Sequence, residues 1–310
     1  MLQASEPNSP ALLSLNRDLR TERLIYAGTL SVCIWDILHS LREDYTIVAL
    51  NRNNFRSHTA AYVVSRISTL TYVLGFTLFN TYPLNNCNTT HIVFGVFFIV
   101  SCGATSLLFF HRVRGVWRNR PLITYIFGFL WLCVLGSATL VPIGIDTTKV
   151  PYACAAYKVH SYVSTPGVVI SVYDTAVFLA ISYRLLWDSF GFSTLDRDSD
   201  FKKIALLIFR GTGMHNLSLS LFKDGQKYYM ITILLSAAAF VMVLIPGIPA
   251  HFRNILALPN MALNNIMAAR VYRNAKLRYA RSWQPSLPLL NTPEIEHPLT
   301  TDLAARNRNI

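Results

Sequence analysis

Residues 91–110 read HIVFGVFFIVSCGATSLLFF, twenty positions without an Asp, Glu, Lys or Arg, and His111-Arg112-Val113-Arg114 comes directly after them. A helix of that length rises about 30 Å, the thickness of the hydrocarbon core of a bilayer. Its Ser101-Cys102-Gly103-Ala104 step is small enough to let a neighbouring helix approach closely. Six more apolar blocks surround it: Leu24 to Leu41, Thr59 to Asn80, Pro121 to Ile143, Ser164 to Tyr183, Tyr228 to Ile245, and Asn254 to Ala269. The chain carries 28 Lys and Arg and 16 Asp and Glu, yet only Asp36, Arg66 and Asp174 fall inside these blocks. The expected fold is all-α, an integral membrane bundle of seven transmembrane helices over 24–269. A tail of 1–23 precedes it, and a basic, then Pro-containing tail of 270–310 comes after it.

Composition agrees. Of the 310 residues, 52% are hydrophobic and only 14% charged, and the mean hydropathy is +0.35. A soluble domain carries about 25% charged residues, so too little charge is present to coat a water-facing surface. The apolar, aromatic-rich chain does not suit disorder. Five cysteines in this length do not make a disulfide-stapled module.

Lys and Arg counts orient the spans. With the N-terminus outside, 21 of the 28 basic residues fall in inner segments and 6 in outer ones, with Arg66 in a span. The expected topology is N-out and C-in, in the plasma membrane or an endomembrane. The first 23 residues lack an apolar h-region, so the first span is read as an uncleaved signal-anchor. The net charge of +12 then lies mostly on cytosolic loops. The partners so implied are the lipid bilayer, anionic lipid headgroups at the cytosolic face and a cytosolic protein. No basic face on a soluble fold is available for nucleic acid.

Cys33, Cys102 and Cys133 lie in spans as packing groups. Cys87 and Cys154 both fall outside, where a disulfide can form; two unpaired thiols are the alternative. Asn88-Thr89-Thr90 is a glycosylation sequon on that side, close to the third span. Asn216-Leu217-Ser218 would face the cytosol. In the long inner loop, residues 201–210 (FKKIALLIFR) suit either a surface-lying amphipathic helix or an extension of a span.

An ionisable group at membrane depth costs roughly 2.5–3.5 kcal/mol on insertion scales, so each needs a partner or a task. Asp36 and Arg66 lie about 7 and 11 Å from the inner ends of their spans, within reach of an ion pair that Asn264 and Asn265 could join. Such a cluster either only locks three helices together or serves a function. Asp174 has no basic residue at its depth. Ser171, Asp174, Thr175, Phe178 and Ser182 share one helical face. That carboxylate is either a ligand, cation or proton site, or a protonated group hydrogen-bonded in the bundle.

No Lys lies in any span, which excludes a retinal Schiff base. No HExxH motif, GxSxG elbow or metal-spaced cluster is present, since His39, His91 and His111 are scattered near span ends. Neither an enzyme nor a cofactor is expected.

Trp35-Asp36-Ile37-Leu38, Leu41-Arg42-Glu43-Asp44-Tyr45 and Tyr62-Val63-Val64-Ser65-Arg66 resemble the N-terminal domain of unknown function in a family of basidiomycete seven-helix membrane proteins. Asp36, Glu43 and Arg66 match that family's aromatic-Asp, acidic and Arg positions. Leu221-Phe222-Lys223-Asp224-Gly225-Gln226-Lys227-Tyr228 is similar to its entry into the sixth helix, and Ala269-Arg270 to the end of its last. Val48-Ala49 departs from a Trp common there. The resemblance implies seven helices and a membrane location, and no activity. By analogy of fold, a receptor-like sensor is expected; the alternatives are a transporter or channel using Asp174, and a structural partner in a membrane complex.

Overall fold

The computed structural model describes residues 10–50, 57–82, 86–150, 153–190, 232, 234–239, 241–242 and 255–283. The chain divides into two units, Met1–Asn274 and Ala275–Ile310. Of the second, only the helical stretch 275–283 is described. The bundle belongs to the first.

The long helices are α1 (Pro10–Leu50), α2 (Ser57–Thr81), α3 (Cys87–Val116), α4 (Pro121–Ala138), α6 (Thr165–Phe190) and α7 (Ala257–Trp283). After α4 the helix breaks at Thr139 and resumes as the short α5, Leu140–Ile143. Pro142 explains the break, because it has no N–H to offer the Ala138 carbonyl one turn back. An antiparallel hairpin comes next, β1 (Ile145–Val150) with β2 (Ala153–Val159), pairing Val150 with Ala153 and Ile145 with Val159. Hydropathy marks this stretch only as a connection between spans, although Thr147, Thr148 and Val150 are β-branched residues that favour strands.

Alongside the apolar core, many polar side chains are buried while many large apolar ones are exposed. On α1 the buried residues Tyr26, Cys33, Asp36, Ser40 and Ile47 form one narrow seam, while Leu24, Trp35, Leu38 and Tyr45 are exposed. On α2, Thr59, Ser65, Arg66, Ser68 and Thr69 are buried while Val64, Ile67 and Leu74 face outward. Polar side chains inside and apolar ones outside suit hydrocarbon as the solvent. Five described helices are long and apolar enough to cross a membrane: Arg20–Ala49, Ser57–Thr81, Cys87–Val116, Pro121–Ile143 and Tyr162–Arg184. The chain is thus a helical membrane protein. Half of the expected sixth span, Tyr228 to Ile245, lies outside the described residues; its described residues 232, 234–239 and 241–242 are helical. The expected seventh is helical as α7 but too polar to join those five.

α3 is central, with every residue from Ser101 to Ser106 buried. One apolar cluster joins Tyr62 of α2, Phe109 and Val113 of α3, Phe127 and Val134 of α4, Val177 and Ile181 of α6, and Ala269 of α7. A second joins Tyr26 and Cys33 of α1, Val73 of α2, and Leu258, Ala262 and Ile266 of α7. α7 therefore packs into both.

Gly95 lets α3 pass α5. A Cβ there would sit 2.5 Å from the Cβ of Pro142, a ring that cannot rotate away, whereas a Cβ on Gly28 meets nothing within 4 Å. Gly95→Ala is expected to destabilise the bundle by about 1–3 kcal/mol. Gly28→Ala should be neutral or stabilising, by up to about 1 kcal/mol. Thermal unfolding of the detergent-solubilised variants measures both.

Candidate functional site

One helical face of α1 carries Asp36, Ser40, Glu43 and Asp44, at spacings of four, three and one. α2 presents Thr59, Tyr62 and Arg66 to it, and α7 presents Arg270, Tyr272 and Arg273. Arg66 Nη1 donates to Asp36 Oδ2 at 2.5 Å, and Nη2 donates to Ser40 Oγ at 2.7 Å. Arg270 occupies the other carboxylate oxygen, with Nε and Nη2 at 3.1 and 3.0 Å from Asp36 Oδ1. Asp44 accepts from Ser40 Oγ at 3.0 Å and Tyr62 Oη at 2.5 Å, and lies 3.8 Å from both Arg66 and Arg273. Arg273 pairs through Nε with Glu43 at 3.2 Å and donates to Tyr62 Oη at 3.3 Å. The Tyr62 and Tyr272 rings stack at 4.8 Å, and Tyr272 Oη is 3.0 Å from Thr59 Oγ1.

Three carboxylates thus face three guanidiniums, and the group is formally neutral. Asp36, 2% exposed, receives N–H groups from two arginines on two helices. Buried ion pairs are poor sources of net stability, but removing one member leaves an uncompensated charge and costs about 3–5 kcal/mol. The network therefore fixes how α1, α2 and α7 sit against one another.

A second polar layer lies deeper along α7. Asn264 Nδ2 donates to Asp174 Oδ2 of α6 at 3.0 Å, and Asn265 Nδ2 donates to Thr105 Oγ1 of α3 at 3.0 Å. Thr69 of α2 is hydrogen-bonded to Ser101 of α3, and Tyr173 Oη donates to the Ser106 carbonyl at 2.9 Å. Asp174 is 6% exposed and makes no ion pair among the described residues. A cavity of about 10 Å³ between Cys33, Arg66, Thr69 and Asn265 joins the two layers. It has room for one water and is far below the ~300 Å³ of a small-molecule pocket.

The expectation that Asn264 and Asn265 complete the Asp36–Arg66 cluster is corrected. Consecutive helical residues point about 100° apart, so the two amides serve different helices, α6 and α3. Arg270 and Arg273 take the places next to the α1 carboxylates. Hydropathy ends the last span at Ala269 and assigns both arginines to the tail, whereas α7 continues to Trp283. The signal is nonetheless present: Leu258, Ala262, Ile266 and Arg270 recur every four residues, and no Pro or Gly interrupts 270–283.

Cys33, Cys102 and Cys133 are free thiols, and Cys87 is not among them. The Cys154 side chain lies outside the described residues. Asn88 is exposed on the first turn of α3, and Asn216 is outside the described residues. His58 and His111, at one end of α2 and α3, meet edge-to-face with ring centroids 4.0 Å apart. That contact is invisible in sequence because the two residues are 53 positions apart. Among the described residues, no group of three or more His, Cys, Asp or Glu is placed to hold a metal ion. In comparisons with known proteins, no family model matches the chain and no curated relative aligns with it.

Asp36→Asn, which leaves Arg66 and Arg270 facing a neutral amide, should lose about 3–5 kcal/mol of stability. Glu43, whose side chain is 36% exposed, is screened by solvent, and Glu43→Gln should cost no more than about 1 kcal/mol. Equal melting shifts for the two variants would contradict the neutral-cluster account.

Proposed function

We propose that the chain is a non-enzymatic, receptor-like membrane sensor of seven spans, N-terminus out and C-terminus cytosolic. In this reading α7 transmits a change at Asp174 to the ionic network. The observation that carries it is that one helix holds both layers: Asn264 binds the buried carboxylate of α6, and Arg270 binds that of α1. These positions are six residues apart, about 9 Å along the axis. An event that competes for Asp174, such as a bound ligand, releases Asn264 and lets α7 shift. Arg270 and Arg273 then exchange partners among Asp36, Glu43 and Asp44. Such rearrangements of packed helices are discrete steps, because the interface is bistable.

Three further readings belong to this proposal. The outer disulfide joins Cys87 to Cys154, which is supported by the free state of the other three cysteines and by the place of β2 between the fourth and fifth spans. The sixth and seventh crossings are made by the stretch that holds the helical residues 234–239 and 241–242 and by α7. The chain belongs with the basidiomycete seven-helix family, on the strength of Asp36, Glu43 and Arg66, which meet in one network. A cytosolic protein would read out the inner end.

Spin labels on α1 at Tyr45 and on α7 at Asn274, both exposed, test the coupling. Asp174→Asn and Asn264→Ala should each move the distance distribution or add a second population, while an α1–α2 control pair stays fixed. Unchanged α1–α7 distances in both variants would remove the sensor reading. A second reading, transport, is favoured by the lack of an ion-pair partner for Asp174 among the described residues. It expects flux in proteoliposomes that Asp174→Asn abolishes.

A further inference from the structure

We propose that the turn between α3 and α4, where Arg114, Arg118 and Arg120 flank Trp117, binds the phosphate of an anionic phospholipid headgroup. The distribution of charge at this end of the bundle carries the inference. At α1, α2 and α7 each guanidinium of the network faces a carboxylate. Among the described residues, Arg114, Arg118 and Arg120 of the α3–α4 turn face none. The sequence contains no Asp or Glu between Asp44 and Asp146, and Arg114, Arg118 and Arg120 are exposed and make no ion pair among the described residues. Asp188 lies one turn beyond Arg184 on α6, with its side chain outside the described residues, so Arg184 is not counted in the site.

The turn also gathers partial positive charge. Arg120 is the residue before α4, which starts at Pro121 and has no side-chain cap. A cation there is set against the positive end of the helix dipole, an arrangement that an anion relieves. Trp117 holds the turn in place: its Nε1 donates to the Ala180 carbonyl of α6 at 3.1 Å, its ring lies parallel to that of Tyr183 at 6.3 Å, and Arg184 sits 5.5 Å above it. Trp and Tyr of this kind settle at headgroup depth. Guanidiniums suit phosphate because they donate paired N–H groups to its oxygens.

A lipid, rather than free phosphate, fits the surface of α4 next to the turn. Leu122, Tyr125 and Phe129 are 70%, 76% and 66% exposed and fall on one face, three and four residues apart. That strip runs from the arginines toward the middle of the span, where the acyl chains of a lipid held at the turn would lie. Such a site is compatible with a sensor and with a transporter alike.

The test uses the full-length protein in nanodiscs containing phosphatidylcholine and phosphatidylserine, so that both faces meet the anionic lipid and orientation does not matter. Lipid retained after extraction is counted by native mass spectrometry. Wild type should retain phosphatidylserine over phosphatidylcholine. Arg118→Gln/Arg120→Gln should reduce that preference about tenfold or more, since each basic residue near an anionic surface contributes appreciably. Arg20→Gln/Arg23→Gln, at the other end of α1, should leave it unchanged. Should the first double variant fail to fold, Arg114→Gln alone is expected to show a smaller loss of the same kind. Unaltered preference in the turn variants, or an equal loss in the Arg20/Arg23 variant, would overturn the site. Equal competition by inorganic phosphate would show that the α4 strip takes no part and would overturn the lipid assignment.

Discussion

A carboxylate taken out of water must be neutralised where it lands, and Asp36 is where this constraint bears hardest. Its side chain is 2% exposed, and its two oxygens are shared between Arg66 of α2 and Arg270 of α7. Neither arginine is adjacent to it in sequence, so the pairings exist only when three helices are correctly placed. The remaining members extend the same requirement: Ser40 and Tyr62 satisfy Asp44, and Arg273 spans Glu43 and Tyr62. Apolar packing in a bilayer cannot specify such an arrangement alone, because lipid tails are as apolar as the side chains they would replace. The polar network supplies the specificity, and the small residues of α3 supply the closeness.

The two layers on α7 tie the mid-bundle to its end. The length of this helix brings a mid-bundle pair of amides and an end-of-bundle pair of guanidiniums onto one rigid element. Displacement at one layer is felt at the other through about two turns of helix. The charges at that end are distributed in two ways: around α1, α2 and α7 they close on one another, while Arg114, Arg118 and Arg120 at the α3–α4 turn meet no carboxylate among the described residues. The first arrangement suits a lock within the protein, and the second a contact with the surrounding lipid.

Much of this is legible in the sequence. Asp36, Arg66 and Asp174 stand out because each is an ionisable residue in an apolar block, and all three are buried at helix interfaces. The apolar blocks themselves mark the helices. The remainder is decided by tertiary geometry. Asn264 and Asn265 look equivalent in a one-dimensional reading, yet helical rotation sends them to different neighbours. Arg270 and Arg273 look like a cytosolic tail because hydropathy falls after Ala269, although the helix does not stop where the hydropathy does. The α1 helix likewise runs on through Arg42-Glu43-Asp44, which makes Glu43 and Asp44 part of the network instead of a loop. The hairpin of β1 and β2 is hidden because a short strand pair between spans has no period long enough to stand out.

The central claim is that α7 is held in the bundle by Arg270 on Asp36. A double-mutant cycle of Asp36→Asn and Arg270→Gln, read by unfolding of the purified protein, tests it most directly. The side chain of Arg270 is 37% exposed, which weakens the pair through solvent screening, and direct contacts of this kind couple by about 0.5–3 kcal/mol. The account predicts a coupling energy inside that range. Strict additivity of the two substitutions would show that Arg270 does not hold Asp36, and the link between α7 and α1 would be lost.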